Sequence, residues 1–167
     1  MADETRRVPQ FLSGPTAPLA VLLPMRLFVG YVWLQAGVTK FYDGWLSGST
    51  EGTRRLIESY RAALQHPPEW YNSLVLEPAA QNPLVTAWVI VGAEILFGLM
   101  TLAGAVTRVA ATALGLMALL WYLGETAART EALAFGLMGF TLAISASGRY
   151  LGVDAIFKAR NMQVPLF

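Results

Sequence analysis

Four apolar stretches, at about residues 18–40, 83–102, 107–123 and 132–147, limit what this 167-residue chain can become. In hydrocarbon every backbone N–H and C=O must find its partner within the protein, and a helix of ~20 residues does this across a core ~30 Å thick. The stretches therefore read as transmembrane α-helices. Composition agrees, since the chain is 55% hydrophobic and 14% charged with a mean hydropathy of +0.48. The fold expected is an all-α membrane protein, a four-transmembrane-helix bundle built as a single domain over residues 1–167.

The first stretch is too long, and too poorly followed by small residues, to be a removable signal peptide. Arg6-Arg7 precedes it, but Pro9 and Gln10 break the spacing of a twin-arginine export signal, so the pair reads as a basic flank. Only Ala103-Gly104-Ala105-Val106 separates the second and third stretches, which predicts a helical hairpin. Thr141 and Ser145 in the fourth are expected to bond carbonyls of their own helix or a neighbour. Residues 41–82 form a long first extramembrane loop. Within it Leu56, Tyr60, Ala63 and Leu64 fall on one face of Glu51–Gln65, which predicts an interfacial amphipathic helix. Glu69–Leu76, with Trp70, Tyr71, Leu74 and Leu76, reads as a second interfacial turn.

Basic residues near span ends set orientation. Arg6, Arg7, Arg108, Arg149, Lys158 and Arg160 lie on the side of both termini, against Lys40, Arg54, Arg55, Arg61 and Arg129 opposite. Both termini are thus expected on the cytoplasmic side of the membrane. Tyr42, Trp45, Trp70, Tyr71, Trp121 and Tyr122 then gather at the outer interface as an aromatic belt.

A net charge of +1 leaves no positive excess to neutralise nucleic acid. The sequence has no Cys, which excludes a disulfide framework, an iron–sulfur cluster and thiolate-bound metal on this chain. His66 is the one histidine, so bis-histidine haem is excluded too, and beside Pro67 it reads as an exposed turn residue. No metal, haem or iron–sulfur cofactor is expected. Redox chemistry would have to use a bound small molecule or another chain.

Ionisable residues inside a span cost ~2.5–3.5 kcal/mol to insert, face the bundle interior and are functional by default. Glu94 lies near the middle of the second span, Arg26 in the first, and Lys40 at that span's outer end. Arg26, Gly30, Trp33, Gly37 and Lys40 share one helical face, which should point inward. Gly30 and Gly37 would let another helix or a flat ligand approach, with the Trp33 ring between them. Antiparallel packing of the first two spans is expected to bring Arg26 to Glu94. Such a pair has two readings: a buried ion pair that fixes helix register, or a polar site for a quinone head group. In the second, Glu94 relays a proton, Arg26 or Lys40 donates to a carbonyl oxygen, and Trp33 with the glycines forms the slot. Quinone reduction needs a titratable carboxylate, a donor and an aromatic or apolar slot, and these residue types supply them.

Arg26-Leu27-Phe28-Val29-Gly30, with Trp33, Ala36-Gly37 and Lys40-Phe41, resembles the opening helix of the DoxX/DoxD family of four-helix membrane proteins. Glu94-Ile95-Leu96-Phe97-Gly98-Leu99, then Leu102, Gly104 and Thr107-Arg108, resembles that family's second helix and its turn into the third. Gly148-Arg149-Tyr150 and Val153-Asp154 resemble its closing pattern. The resemblance implies a membrane subunit of thiosulfate:quinone oxidoreductase, which joins thiosulfate into tetrathionate and passes electrons to a membrane quinone. It implies the lipid bilayer, a quinone and a second protein subunit or larger membrane complex as partners. The alternative is a non-catalytic accessory or anchoring subunit of a membrane redox complex. A transporter would show duplicated halves and interrupted helices, which are missing from the sequence pattern.

Overall fold

The computed structural model describes residues 21–47, 68–124, 129–145, 147–149 and 151–159, and every regular element among them is helical. Helix α1 (Leu23–Tyr42) begins with Pro24 in its first turn, where the missing N–H costs nothing. It ends at Gly44, whose φ of 79° turns the chain back. The Gly44 N–H donates to the Phe41 carbonyl at 3.2 Å and the Trp45 N–H to that of Lys40 at 3.2 Å. This Schellman closure folds Trp45 back over the last turn of α1.

The chain resumes in short pieces, α2 (Glu69–Tyr71), a π-helical turn (Asn72–Leu76) and α3 (Glu77–Gln81). Tyr71 and Leu76 are buried in this run while Trp70 and Leu74 are exposed, the two-faced pattern of a segment at an interface. The Tyr71 hydroxyl donates to the Leu120 carbonyl at 3.0 Å, which ties the run to the bundle, and burial pushes its phenol pKa up. The expected amphipathic helix at Glu51–Gln65 and His66 lie outside the described residues.

Helix α4 (Pro83–Ala103) closes on Gly104 at φ 65° by the same Schellman pattern, with the Ala105 N–H on the Met100 carbonyl at 2.9 Å. The tight turn leads into α5 (Thr107–Gly124), as the four-residue connection required. Helix α6 (Arg129–Ser145) starts earlier than the apolar run beginning at Ala132, because its first turn uses polar residues. Thr141 donates to the Leu137 carbonyl and Ser145 to that of Leu142, both within their own helix. A 3₁₀ turn (Ser147–Arg149) and α7 (Val153–Ala159) complete the described chain.

The helices pack as two close pairs. A Cβ added at Gly30 would meet the Leu102 backbone N at 2.7 Å, and one at Gly98 the Leu34 backbone N at 2.7 Å, so α1 and α4 touch backbone to backbone. A Cβ at Gly139 would likewise lie 2.9 Å from Gly115, which sets α6 against α5. Between the pairs sits an apolar core of Val29, Trp33, Ala111, Leu114, Ala118 and Leu142. Helix α4 alone among the described elements is long and apolar enough to cross a membrane, with Thr107–Leu123 and Thr130–Ser145 as shorter apolar helices. Arg26, Gln35 and Lys40 lower the hydropathy of α1. Val85, Trp88, Val89, Leu96 and Leu99 form an exposed apolar stripe along α4.

Candidate functional site

Close approach of α1 and α4 determines which polar groups meet. Gly37 lies against Glu94 and Ile95, so the next turn of α1 carries Lys40 directly to the Glu94 carboxylate. The Lys40 ammonium donates to Oε1 at 2.7 Å and to Oε2 at 2.8 Å. Glu94 is 1% exposed and the Lys40 side chain 13%. Two indole rings flank the ammonium: Trp121 of α5 at 5.2 Å and Trp45 at 5.6 Å from Nζ to centroid. Cation–π attraction of this kind strengthens as water is removed. A carboxylate, an ammonium and two aromatic faces thus converge at the Lys40 end of the bundle.

The inward face of α1 is as the helical spacing required, with Arg26, Gly30, Trp33 and Gly37 all buried. The Arg26–Glu94 contact, however, does not form. Lys40 takes the carboxylate, and Arg26 lies fourteen residues further back along α1, about 21 Å at ~1.5 Å per residue. The expectation aligned the two apolar runs by their ends, whereas the glycine contacts slide α4 so that Glu94 faces the last turns of α1. Arg26 instead crosses to the C-terminal segment, donating to the Ser147 carbonyl at 2.8 Å and the Leu151 carbonyl at 3.0 Å.

That second polar node closes the opposite end of the bundle. Asp154 accepts from the Val106 N–H at 2.6 Å and the Thr107 N–H at 3.0 Å, and so caps the start of α5 from a distant segment. Its own N–H donates to the Gly104 carbonyl at 2.9 Å. Gly30 and Gly37 receive α4 rather than a ligand, and Trp33 packs edge-on to Phe135 at 6.4 Å in the central core. Sequence reasoning placed Trp45 and Trp121 in a membrane belt and missed their place around Lys40. For Trp45 the signal was present, because Gly44 three residues past the middle of the last turn is where a helix reverses.

The model of the family described as DoxX matches residues 21–124, more than half of the sequence. The chain belongs to the DoxX family. The matched part of this DoxX protein holds Lys40, Trp45, Glu94 and Trp121, while Ser147 and Asp154 lie beyond it. No curated protein and no solved structure matches the chain. Among the described residues no group of His, Cys, Asp and Glu is arranged to hold a metal ion.

Proposed function

We propose that this DoxX chain is the quinone-reactive membrane subunit of an oxidoreductase of the thiosulfate:quinone type. It would act as a four-span bundle in a prokaryotic inner membrane with both termini cytoplasmic. The observation that carries the reading is the Lys40–Glu94 pair, whose carboxylate is buried and whose ammonium has the Trp121 and Trp45 ring centroids at 5.2 and 5.6 Å. A register-fixing pair alone does not call for two aromatic faces beside the ammonium. A flat head group needs them, together with a hydrogen-bond donor and an acid.

Joining two thiosulfates into tetrathionate releases two electrons, and quinone takes up two electrons and two protons to become the quinol. The absence of Cys is compatible with this, since the sulfur–sulfur bond can form between substrates held by a partner subunit. Within the chain, Lys40 would present its ammonium to a carbonyl oxygen and Glu94 would hold the proton to be delivered there. Trp33 would wall the slot below them. Gly30 and Gly37 would serve the site by admitting α4, which is what lets Lys40 reach Glu94. Arg26, holding backbone carbonyls at the other end, has no part in this proton delivery.

The test is thiosulfate-dependent reduction of a quinone analogue by the full chain purified with its bound partners. General acid–base groups contribute about 10²–10⁴ in rate. Glu94→Gln should therefore lower turnover by about 100-fold or more while the bundle stays assembled. Wild-type turnover retained by Glu94→Gln, or no turnover in a partner-complete preparation, would overturn the reading in favour of an accessory subunit.

A further inference from the structure

A buried indole N–H is normally hydrogen-bonded, because leaving such a donor unpaired costs about 1–3 kcal/mol. Trp33 is 8% exposed and its Nε1 has no hydrogen-bond partner among the described residues. The core cluster it belongs to holds Val29, Ala111, Leu114, Ala118 and Leu142, with Phe135, Met25, Met117 and Met138 packed against it; the only side-chain acceptors there are weak thioether sulfurs, and none bonds Nε1. A water there would lack the two to four polar partners that hold one in place. With no partner among the described residues, an acceptor that suits this site is one carried on an apolar body. With no charged side chain in this core, that body has to be neutral at the end which reaches Trp33.

An aromatic path joins this donor to the bundle surface. Trp33 meets Phe135 of α6 edge-on, and Phe135 stacks on Phe28 of α1 at 5.9 Å with 13° between ring planes. Phe28 is 51% exposed, on the α1 face that also exposes Leu27 and Tyr31. A flat ring can replace one member of such a stack without uncovering polar backbone. We propose that Trp33 donates its indole N–H to a carbonyl oxygen of a flat, uncharged, bilayer-soluble ligand in a slot between α1, α5 and α6, reached past the Phe28–Phe135 stack. Trp33 and Lys40 stand seven residues apart on one face of α1, about 10 Å of helix. A ligand with a carbonyl at each end would engage Trp33 at one end and Lys40 at the other. This rests on the quinone-reactive reading, to which it adds a second donor and an approach.

The test titrates a short-chain quinone into the full chain in lipid nanodiscs, alongside a matched ring compound without carbonyls. Trp33→Phe keeps a ring and removes the donor. It should weaken quinone binding about three- to tenfold, the worth of one neutral hydrogen bond, and leave the carbonyl-free compound unchanged. In the infrared difference spectrum one quinone carbonyl should return to its free frequency in that variant. Phe28→Ala, on the exposed side, should speed association. Equal weakening for both compounds, unaltered quinone affinity, or an unchanged association rate in Phe28→Ala would overturn the slot. If Trp33→Phe does not fold, wild type decides: a bound quinone with both carbonyls at the free frequency overturns the proposal. Quinone turnover with an insensitive Trp33→Phe sinks this inference alone. Carbonyl-dependent binding without turnover sinks the oxidoreductase reading alone, and no binding at all sinks both.

Discussion

Replacing Lys40 by Met keeps most of the side chain's apolar stem and deletes its ammonium, leaving the carboxylate of Glu94 at 1% exposure without its two contacts at 2.7 and 2.8 Å. Hydrogen bonds to charged groups are worth about 1.5–3 kcal/mol each, so the two together come to about 3–6 kcal/mol. Removal of one partner from a buried pair costs about 3–5 kcal/mol by direct measurement in other proteins. We therefore expect Lys40→Met to destabilise the bundle by about 3–5 kcal/mol. Glu94→Gln introduced into that variant should then cost little further, because the uncompensated charge has gone. The assay is reversible unfolding in mixed micelles or bilayers of wild type, the two single variants and the double. Coupling of at least about 1 kcal/mol is expected, whereas additivity within about 0.5 kcal/mol marks independent sites. Additive costs for Lys40→Met and Glu94→Gln would refute the pair. Arg26→Met with Glu94→Gln is the control, which should be additive because about 21 Å of helix separates the sites.

Three further outcomes follow from the packing. Gly37→Leu should destabilise by about 1–3 kcal/mol or more by overpacking, since a Cβ there lies 2.8 Å from Ile95, whereas Gly92→Ala, with nothing within 4 Å, should stabilise by about 0.5–1 kcal/mol. Thermal unfolding of the two variants side by side checks this, and similar effects at both sites would contradict the α1–α4 contact. Asp154→Ala removes the acceptor for two N–H groups at the start of α5 and should cost about 0.5–2 kcal/mol, read as lost amide-exchange protection at Val106 and Thr107. Unaltered protection there would rule out the cap. Tyr71 has a folded-state pKa raised by burial. Its folded form thus holds the proton more tightly than the unfolded chain, and its contribution is complete below the ordinary tyrosine pKa and lost as pH rises through the folded value. Stability should fall at alkaline pH in wild type, with a shallower fall in Tyr71→Phe; identical slopes would exclude Tyr71 as the cause.

The helices were legible in the sequence because length and hydropathy alone specify where α4 and α5 run, and the Gly104 turn leaves no other connection. The inward face of α1 was legible as well, since Arg26, Gly30, Trp33, Gly37 and Lys40 follow the steps of a 3.6-residue turn. The partner of Glu94 was not. Helical periodicity reports the angle around an axis and says nothing about sliding along it, so Arg26 and Lys40, on the same face, were equal candidates by angle. What separates them is where α4 can come close, and that depends on Gly30 and Gly37 meeting Gly98, Leu102 and Glu94 in three dimensions. Asp154 was legible only as part of a family pattern. Its task is to cap a helix 47 residues away in sequence, and no local signal encodes that partner.

The exchange of partners between Arg26 and Lys40 also fits the chemistry of the two cations. Arginine remains protonated in proteins and offers several N–H donors in a fixed fork. It suits a site that must hold two backbone carbonyls, from Ser147 and Leu151, without ever releasing a proton. Lysine is a compact cation whose three donors rotate freely, and its charge responds readily to surroundings. Set against a buried carboxylate and beside Trp45 and Trp121, it places one compact charge whose donors reach both Glu94 oxygens. Lys40→Arg should separate these properties. Bundle stability would be largely kept, because the charge is kept, while quinone reduction by the proposed site would fall because a longer planar fork cannot place a donor where the compact ammonium stands. A Lys40→Arg chain that reduces quinone at the wild-type rate would show that Lys40 supplies charge alone.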